Sequence, residues 1–568
     1  MPRLSVGLRW LEGTNAIRVL RVPEIALAAL SLFGLACVDE RMSQTPDAGA
    51  GDSIRLAVVI VIDQLRPERI NPDLPGGLGR LMREGHNFPR AEQNHARTET
   101  CPGHATILTG RHPGAAGIPS NDFIDRTRKK EVYCVLDETE QGQVLGEDHP
   151  QDPHRGRSPR SLRVETLGDW LKKMDPDSRV FAISAKDRAA ILLAGHGGDA
   201  AYWLDRKHTG RFTTSRFYRD SLPEWVGSWS ADYILSAVPS EWIHAPSPVL
   251  QSLRSDDHPG EDEHFNRTTP HPIHLEGSLM DSIEAFSYTP YLDQRTLDFA
   301  RQLVEEEDLG QEGRTDLLAL SLSGTDLIGH AYGPYSHESA DALRMLDEDL
   351  GRFLDFLEAR VGREHMLVVL TSDHGVLALP EWLEANSPPC PIPSGRLSPK
   401  RLGRGLADHL NERFGMGSSP RFLRNHMGFF FLPEAGKPQT HERIRAAADW
   451  LGAQPGVARV ISRDEIESGS SRVPLVNLHA QSLAPGLGPD LFVETEYGCL
   501  FSDYPTGTSH GSSHDYDRRV PLVFFGGGIE PGETWMAAKT VDIAPTLAWE
   551  LGLPTPGDLD GEILPLAE

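Results

Sequence analysis

Three short apolar runs rich in β-branched residues lead into aspartates: VVIVID ends at Asp63, LLALSLSGTD at Asp326 and MLVVLTSD at Asp373. Runs of this length, bounded by polar or turn residues and set near helical stretches, are the pattern of buried parallel strands. In an open α/β sheet, ligands bind outside the carboxyl ends of the strands. An α/β fold of this kind therefore delivers all three carboxylates to one crevice, and a polar site is predicted at that edge.

Imidazoles accompany these carboxylates. His330 follows Asp326 by one helical turn in SGTDLIGH, so both project from one face. His374 directly follows Asp373 in TSDHG, and His510 lies in TSHGSSH with His514 as a rival four residues on. Three carboxylates and three imidazoles suffice for two divalent ions, each with three protein ligands and a position left open for substrate. Such donors suit several metals. A fifth segment, TETCPGHATILTG, places Thr100 just ahead of Pro102, which a first helical turn tolerates. At a helix amino terminus, unpaired N–H groups and the helix dipole favour an anion and an ionised hydroxyl. A lone threonine there reads as an N-cap; in the company of six ligands it reads as a nucleophile.

The chain has 568 residues, 39% of them hydrophobic, enough for a large core with insertions. A net charge of -26 argues against nucleic-acid backbones and anionic membrane as partners. Residues 1–37 stand apart: four arginines precede an apolar run from Ile25 to Ala36, which stops at Cys37. This is the layout of a secretory signal, with a flexible linker over 38–53. The run is too short to span a bilayer stably and no later stretch qualifies, so an exported chain without a transmembrane span is expected. Two outcomes fit FGLAC: a lipid anchor at Cys37, or simple cleavage. The remaining cysteines, Cys101, Cys134, Cys390 and Cys499, allow up to two disulfides in an oxidising compartment, with several pairings open. Nothing in the composition speaks to oligomeric state.

In order, Asp63, TCPGH, D-x-x-x-H, D-H-G and T-x-H-G resemble the alkaline phosphatase superfamily, in its branch of threonine-nucleophile phosphatases and nucleotide pyrophosphatase/phosphodiesterases. The similarity runs from Ile54 to the end, where VDIAPTLAWELGLPTPGDLDGEIL is similar to the superfamily's closing segment. The resemblance implies one catalytic domain over 54–568: a mixed central sheet sandwiched by helices, with inserted cap segments near 124–310 and 381–485. It implies two Zn2+ ions, one held by Asp326, His330 and His510, the other by Asp63, Asp373, His374 and the Thr100 oxygen. His510 is preferred over His514 because the family's histidine is followed by glycine, as Gly511 follows here. His104, His112 and His337 are expected to support or pack.

KDRAAILLAGH further resembles the insert of bacterial phosphate-irrepressible alkaline phosphatases, where the Lys and Arg of a K-x-R motif bind the transferred phosphoryl group. That implies Lys186 and Arg188 on the phosphate, with Asn121 of IPSNDF on a further oxygen. Their spacing sets Lys186 and Arg188 on one side of an extended segment, although composition alone also fits a solvated charge pair beside Asp187 and a turn role for Asn121. Trp203, Phe212 and Phe217 are expected in the core. The implied activity is hydrolysis of small phosphate monoesters through a phosphothreonine, outside the cytoplasm. The alternative is a phosphodiesterase or nucleotide pyrophosphatase, relatives that keep the asparagine but lack the Lys/Arg pair.

Overall fold

The computed structural model describes residues 54–566 except 147–152, 246–249, 251–252, 387–389, 416–421, 426, 433–439 and 470–471. The expected signal, linker and Cys37 lie outside the described residues.

The apolar runs build one nine-stranded sheet. Its strands in chain order are β1 (Leu56–Ile62), β2 (His86–Asn87), β3 (Val180–Ser184), β4 (Ala200–Leu204), β5 (Phe212–Thr213), β6 (Asp316–Leu322), β7 (Met366–Thr371), β8 (Leu522–Gly526) and β9 (Gly532–Glu533). Across the sheet they lie in the order β9, β2, β8, β7, β1, β6, β3, β4, β5. The strands from β7 to β4 run parallel, while β8 and β5 are antiparallel to their neighbours. Every residue of β1, β6 and β7 is buried, as a parallel sheet covered on both faces requires. Leu56, Val58, Ile60 and Ile62 point to a core shared with the helix His337–Val361, and Ala57, Val59 and Val61 to one shared with the helix Thr100–Thr109. Register places Ile62 beside Leu322 and Val61 beside Thr371. The chain therefore leaves three adjacent strands at the same edge, carrying Asp63, Asp326 and Asp373 just beyond it.

The first expected insert is in part core. VFAIS and AAYWL are fully buried and extend the parallel sheet as β3 and β4, so this part of the insert supplies strands to the central sheet. The second segment forms a lobe with its own antiparallel sheet, in the order Phe422–Asn425, Gly428–Phe431, Leu491–Thr495, Val457–Ser462. Leu406, Phe429 and Leu451 centre its separate core. Its closing strand, Leu491–Thr495, lies past the expected boundary at 485. Disulfides join Cys101 to Cys134 and Cys390 to Cys499. Among the described residues no helix is long and apolar enough to cross a membrane.

Candidate active site

Beyond the sheet edge the ligand-type residues fall into two sets, Asp63, Asp373 and His374, and Asp326, His330 and His510; within each, the donor atoms lie within 4.8 Å of one another. His374 Nε2 is 3.3 Å from Asp373 Oδ2 and 3.5 Å from Asp63 Oδ1. His330 Nε2 and His510 Nε2 lie 3.2 and 3.7 Å from the same oxygen, Asp326 Oδ1. The sets abut, since the rings of His374 and His510 stack with centroids 3.6 Å apart.

The imidazoles are oriented alike. Nδ1 of His330, His374 and His510 lies 2.8, 3.0 and 2.7 Å from the carbonyl oxygens of Thr508, Gly375 and Thr98. A carbonyl only accepts, so each Nδ1 carries a proton and each ring presents Nε2 toward the carboxylates, the orientation of metal-binding histidines. Burial pushes the His374 and His510 imidazoles down and so keeps them neutral. Burial also raises the Asp63 carboxyl well above its usual range, reinforced by the charges of Asp326 and Asp373. It opposes ionisation at Asp326 too, but His330 and Lys186 hold that carboxyl well below its ordinary value. Asp63 Oδ1 and His374 Nε2 are buried without a hydrogen-bond partner among the described residues. Converging acceptors of this kind are costly unless a cation meets them, so the donor set fits divalent metal.

Thr100 opens the helix Thr100–Thr109 behind an extended Glu99. That helix runs against the Asp373 backbone: a Cβ on Gly103 would sit 2.3 Å from the Asp373 carbonyl oxygen. Lys186 occupies the extended turn after β3, and Arg188 lies in the first turn of the helix Asp187–Ala194. The single extended segment expected for this pair is thus corrected; a helix begins between them, and both side chains still reach the site. Lys186 is 3% exposed and its ammonium is 2.5 Å from both Asp63 Oδ2 and Asp326 Oδ2, which rules out a solvated charge pair. Arg188 Nη2 is 3.3 Å from Thr100 Oγ1. Asp187 holds the Arg188 surroundings in place, accepting from Tyr133 at 2.6 Å and Arg157 at 2.5 Å.

Asn121 Oδ1 accepts the Cys101 N–H at 2.8 Å, and its own N–H donates to Glu99 at 2.7 Å. With Oδ1 so committed, the side-chain NH2 faces the other way. The Cys101–Cys134 disulfide and the bond from Cys134 N–H to the Asn121 carbonyl, 2.8 Å, lock this arrangement. Asn121, Lys186 and Arg188 line a cleft of about 490 Å³ whose wall also carries Arg155, Arg157 and Arg206. A cationic cleft in a chain of net charge -26 is a local field for anions. Trp203 lines it as well, whereas Phe212 stacks on Phe299 at 4.0 Å inside the core.

One residue here is unmarked in the sequence. Gln64, in the left-handed region at φ 68°, donates from Nε2 to Asp326 Oδ1 at 2.8 Å and from its backbone N–H to Asp373 Oδ1 at 3.2 Å. It touches both sets, yet a glutamine beside a ligand carries no signal of its own. His104 supports from behind: Nδ1 is 2.8 Å from the Thr100 carbonyl and 3.2 Å from Asp373 Oδ2, and Nε2 is 2.8 Å from Ser321 Oγ. His514 pairs instead with the Thr495 carbonyl at 2.9 Å, leaving His510 beside the ligand sets.

The chain belongs to the type I phosphodiesterase/nucleotide pyrophosphatase family, whose profile matches residues 57–386. Within that family it is similar to alkaline phosphatase PhoK of Sphingomonas sp, 32% identical over 90% of this chain and 91% of that protein. A protein of Myroides odoratus named calcium-transporting ATPase is 32% identical over 88% of this chain and 92% of its own. The crystal structure of alkaline phosphatase PafA superposes with a TM-score of 0.81 at 26% identity, covering 91% of this chain and 99% of that one. A second PafA structure carries substitutions at a threonine, an asparagine, a lysine and an arginine.

Proposed function

We propose that this chain is a metal-dependent alkaline phosphatase that releases inorganic phosphate from small organic monoesters through a phosphothreonine intermediate. The observation that carries the reading is a cleft lined by Asn121, Lys186 and Arg188, with Arg188 on the Thr100 hydroxyl, Asn121 on the next backbone N–H and Lys186 between the two metal-fit donor sets. A monoester carries nearly two negative charges and calls for several cationic donors, whereas a diester carries one charge and a second organic arm that calls for apolar room. The residue types altered in the PafA variant, in the order threonine, asparagine, lysine, arginine, match Thr100, Asn121, Lys186 and Arg188 in kind and order.

Two Zn2+ ions, one with Asp63, Asp373, His374 and the Thr100 oxygen and one with Asp326, His330 and His510, would supply Lewis acidity to the attacking and departing oxygens. Thr100 Oγ, at the positive end of its helix, attacks phosphorus; the bond from phosphorus to the ester oxygen breaks and the alcohol leaves. Arg188, Asn121 and Lys186 hold the nonbridging oxygens as their charge redistributes. Water then cleaves the phosphothreonine, restoring the Thr100 hydroxyl and releasing phosphate. The terminal phosphoryl group of ATP offers the same nonbridging oxygens, so release of phosphate from ATP falls within reach of these donors. Two disulfides suit a compartment outside the cytoplasm, in keeping with an exported enzyme. The test is kcat/KM of the zinc-loaded protein on p-nitrophenyl phosphate and on its bis-ester, beside Thr100→Ala. A strong monoester preference abolished in the variant is expected; a bis-ester preference would replace this reading with a phosphodiesterase.

A further inference from the structure

A second cluster of imidazoles and carboxylates lies apart from the Asp63 and Asp326 sets. His244 follows the strand Glu241–Trp242, and His271 opens the strand His271–Pro272, which pairs with it antiparallel. Glu338 lies in the first turn of the helix His337–Val361. His271 Nε2 is 3.2 Å and His244 Nε2 3.8 Å from Glu338 Oε1, and the three donor atoms lie within 4.8 Å of one another among buried residues. The Glu338 side chain is 0% exposed and that of His271 2%. Both Glu338 oxygens and both of these Nε2 atoms are without a hydrogen-bond partner among the described residues.

An ordinary ion pair accounts poorly for this. Burial drives the His244 imidazole toward its neutral form, and a separation of 3.8 Å is no hydrogen bond. A fully buried carboxylate is stable only when closely paired or bound to metal. The surroundings turn both imidazoles toward Glu338. His271 Nδ1 lies 3.0 Å from the Phe265 carbonyl, which turns Nε2 of the ring toward Glu338. His244 Nδ1 lies 3.6 Å from Asp256 Oδ1, too far for a hydrogen bond, with the carboxylate on the side of the ring away from Glu338. His337 Nδ1 lies 3.3 Å from the same oxygen.

We propose that His244, His271 and Glu338 form a structural divalent-metal site separate from the active site, taking Zn2+ through two Nε2 atoms and a carboxylate oxygen. The metal clamps the segment 241–273 to the start of the helix His337–Val361. It also steadies the helix Gly324–Tyr332, since the Tyr332 ring packs on His271 at 5.3 Å and that helix carries Asp326 and His330.

The test is zinc per chain, by plasma mass spectrometry after Zn2+ loading and removal of excess, with Zn2+-dependent thermal unfolding, for wild type, Glu338→Gln and His271→Gln. Each variant is expected to lose one zinc per chain and most of the zinc-dependent rise in Tm while still hydrolysing p-nitrophenyl phosphate. His330→Ala, a control in the active site, should lose activity and keep the zinc-dependent rise, so the two readings fail separately. Unchanged zinc content in both variants overturns the proposal. Should neither variant fold, a zinc-edge anomalous difference map from wild-type crystals decides: a peak among His244 Nε2, His271 Nε2 and Glu338 supports the site, and its absence overturns it.

Discussion

Arg188→Ala tests the monoester assignment with the least collateral damage. Lys186 is a poorer target because its ammonium lies between Asp63 and Asp326, so removing it perturbs the ligands themselves. Arg188 faces Thr100 from the other side, at 3.3 Å from its hydroxyl, and its loss leaves Asp187 still bound to Arg157 and Tyr133. The magnitude follows from what the guanidinium does. A donor aimed at developing charge in a water-excluded site is worth about 3–4 kcal/mol. At about 1.4 kcal/mol per factor of ten, the monoester should lose roughly 10²–10³ in kcat/KM. A diester presents one negative charge instead of nearly two, so its loss should be nearer that of an ordinary charged hydrogen bond at a wetter site, about 1.5 kcal/mol or roughly tenfold. The ratio of monoester to diester kcat/KM should therefore fall by about one to two powers of ten. The assay is steady-state hydrolysis of p-nitrophenyl phosphate and bis-p-nitrophenyl phosphate, with bound zinc measured on the same preparations. Equal losses on both esters, with zinc retained, would refute the argument that Arg188 reads the second charge of the phosphate.

Gly103→Ala should push Asp373 out of place, because the new methyl would meet its carbonyl oxygen at 2.3 Å; a loss of activity of about 10² or more, together with a lower Tm, is expected from such a displacement. Gln64→Ala removes the donor that orients Asp326 and should weaken divalent-metal binding by about 10–100-fold, read by competition with a chelating dye. Replacing Cys390 and Cys499 by serine opens a link between residues 109 apart, and urea denaturation should register a loss of about 2–4 kcal/mol. Burial raises the Glu494 carboxyl, but His479, Arg97 and the Ser513 hydroxyl outweigh it and hold it below its ordinary value. The native state therefore binds fewer protons there than the unfolded chain, so this contribution is complete above the usual carboxylate range and lost as pH falls through and below it. As pH falls from about 5 to about 3, the Tm of wild type should fall further than that of Glu494→Gln.

What was legible in the sequence was local. Runs such as VVIVID and MLVVLTSD specify buried strands by composition alone, and because parallel strands share one carboxyl edge, their terminal aspartates had to arrive together. TCPGH likewise announces a helix start, since Pro102 suits only a first turn. What depended on contacts between distant segments was not legible. Gln64 is positioned by a left-handed backbone and by bonds to residues more than 260 positions away, and no local pattern encodes that. The role of VFAIS and AAYWL as core strands follows from pairing of VFAIS with β6 and of AAYWL with VFAIS, which short apolar runs inside a polar stretch do not specify. The disulfide pairings were open because four cysteines admit several connectivities and only the folded backbone brings particular pairs together. His244, His271 and Glu338 meet because an antiparallel strand pair is laid against a helix start. Composition and periodicity thus determined the three aspartate-bearing strands, the class of fold and the supply of ligands, whereas tertiary packing alone decided which imidazole faces which carboxylate, because orientation and burial are set by neighbours far away in the chain.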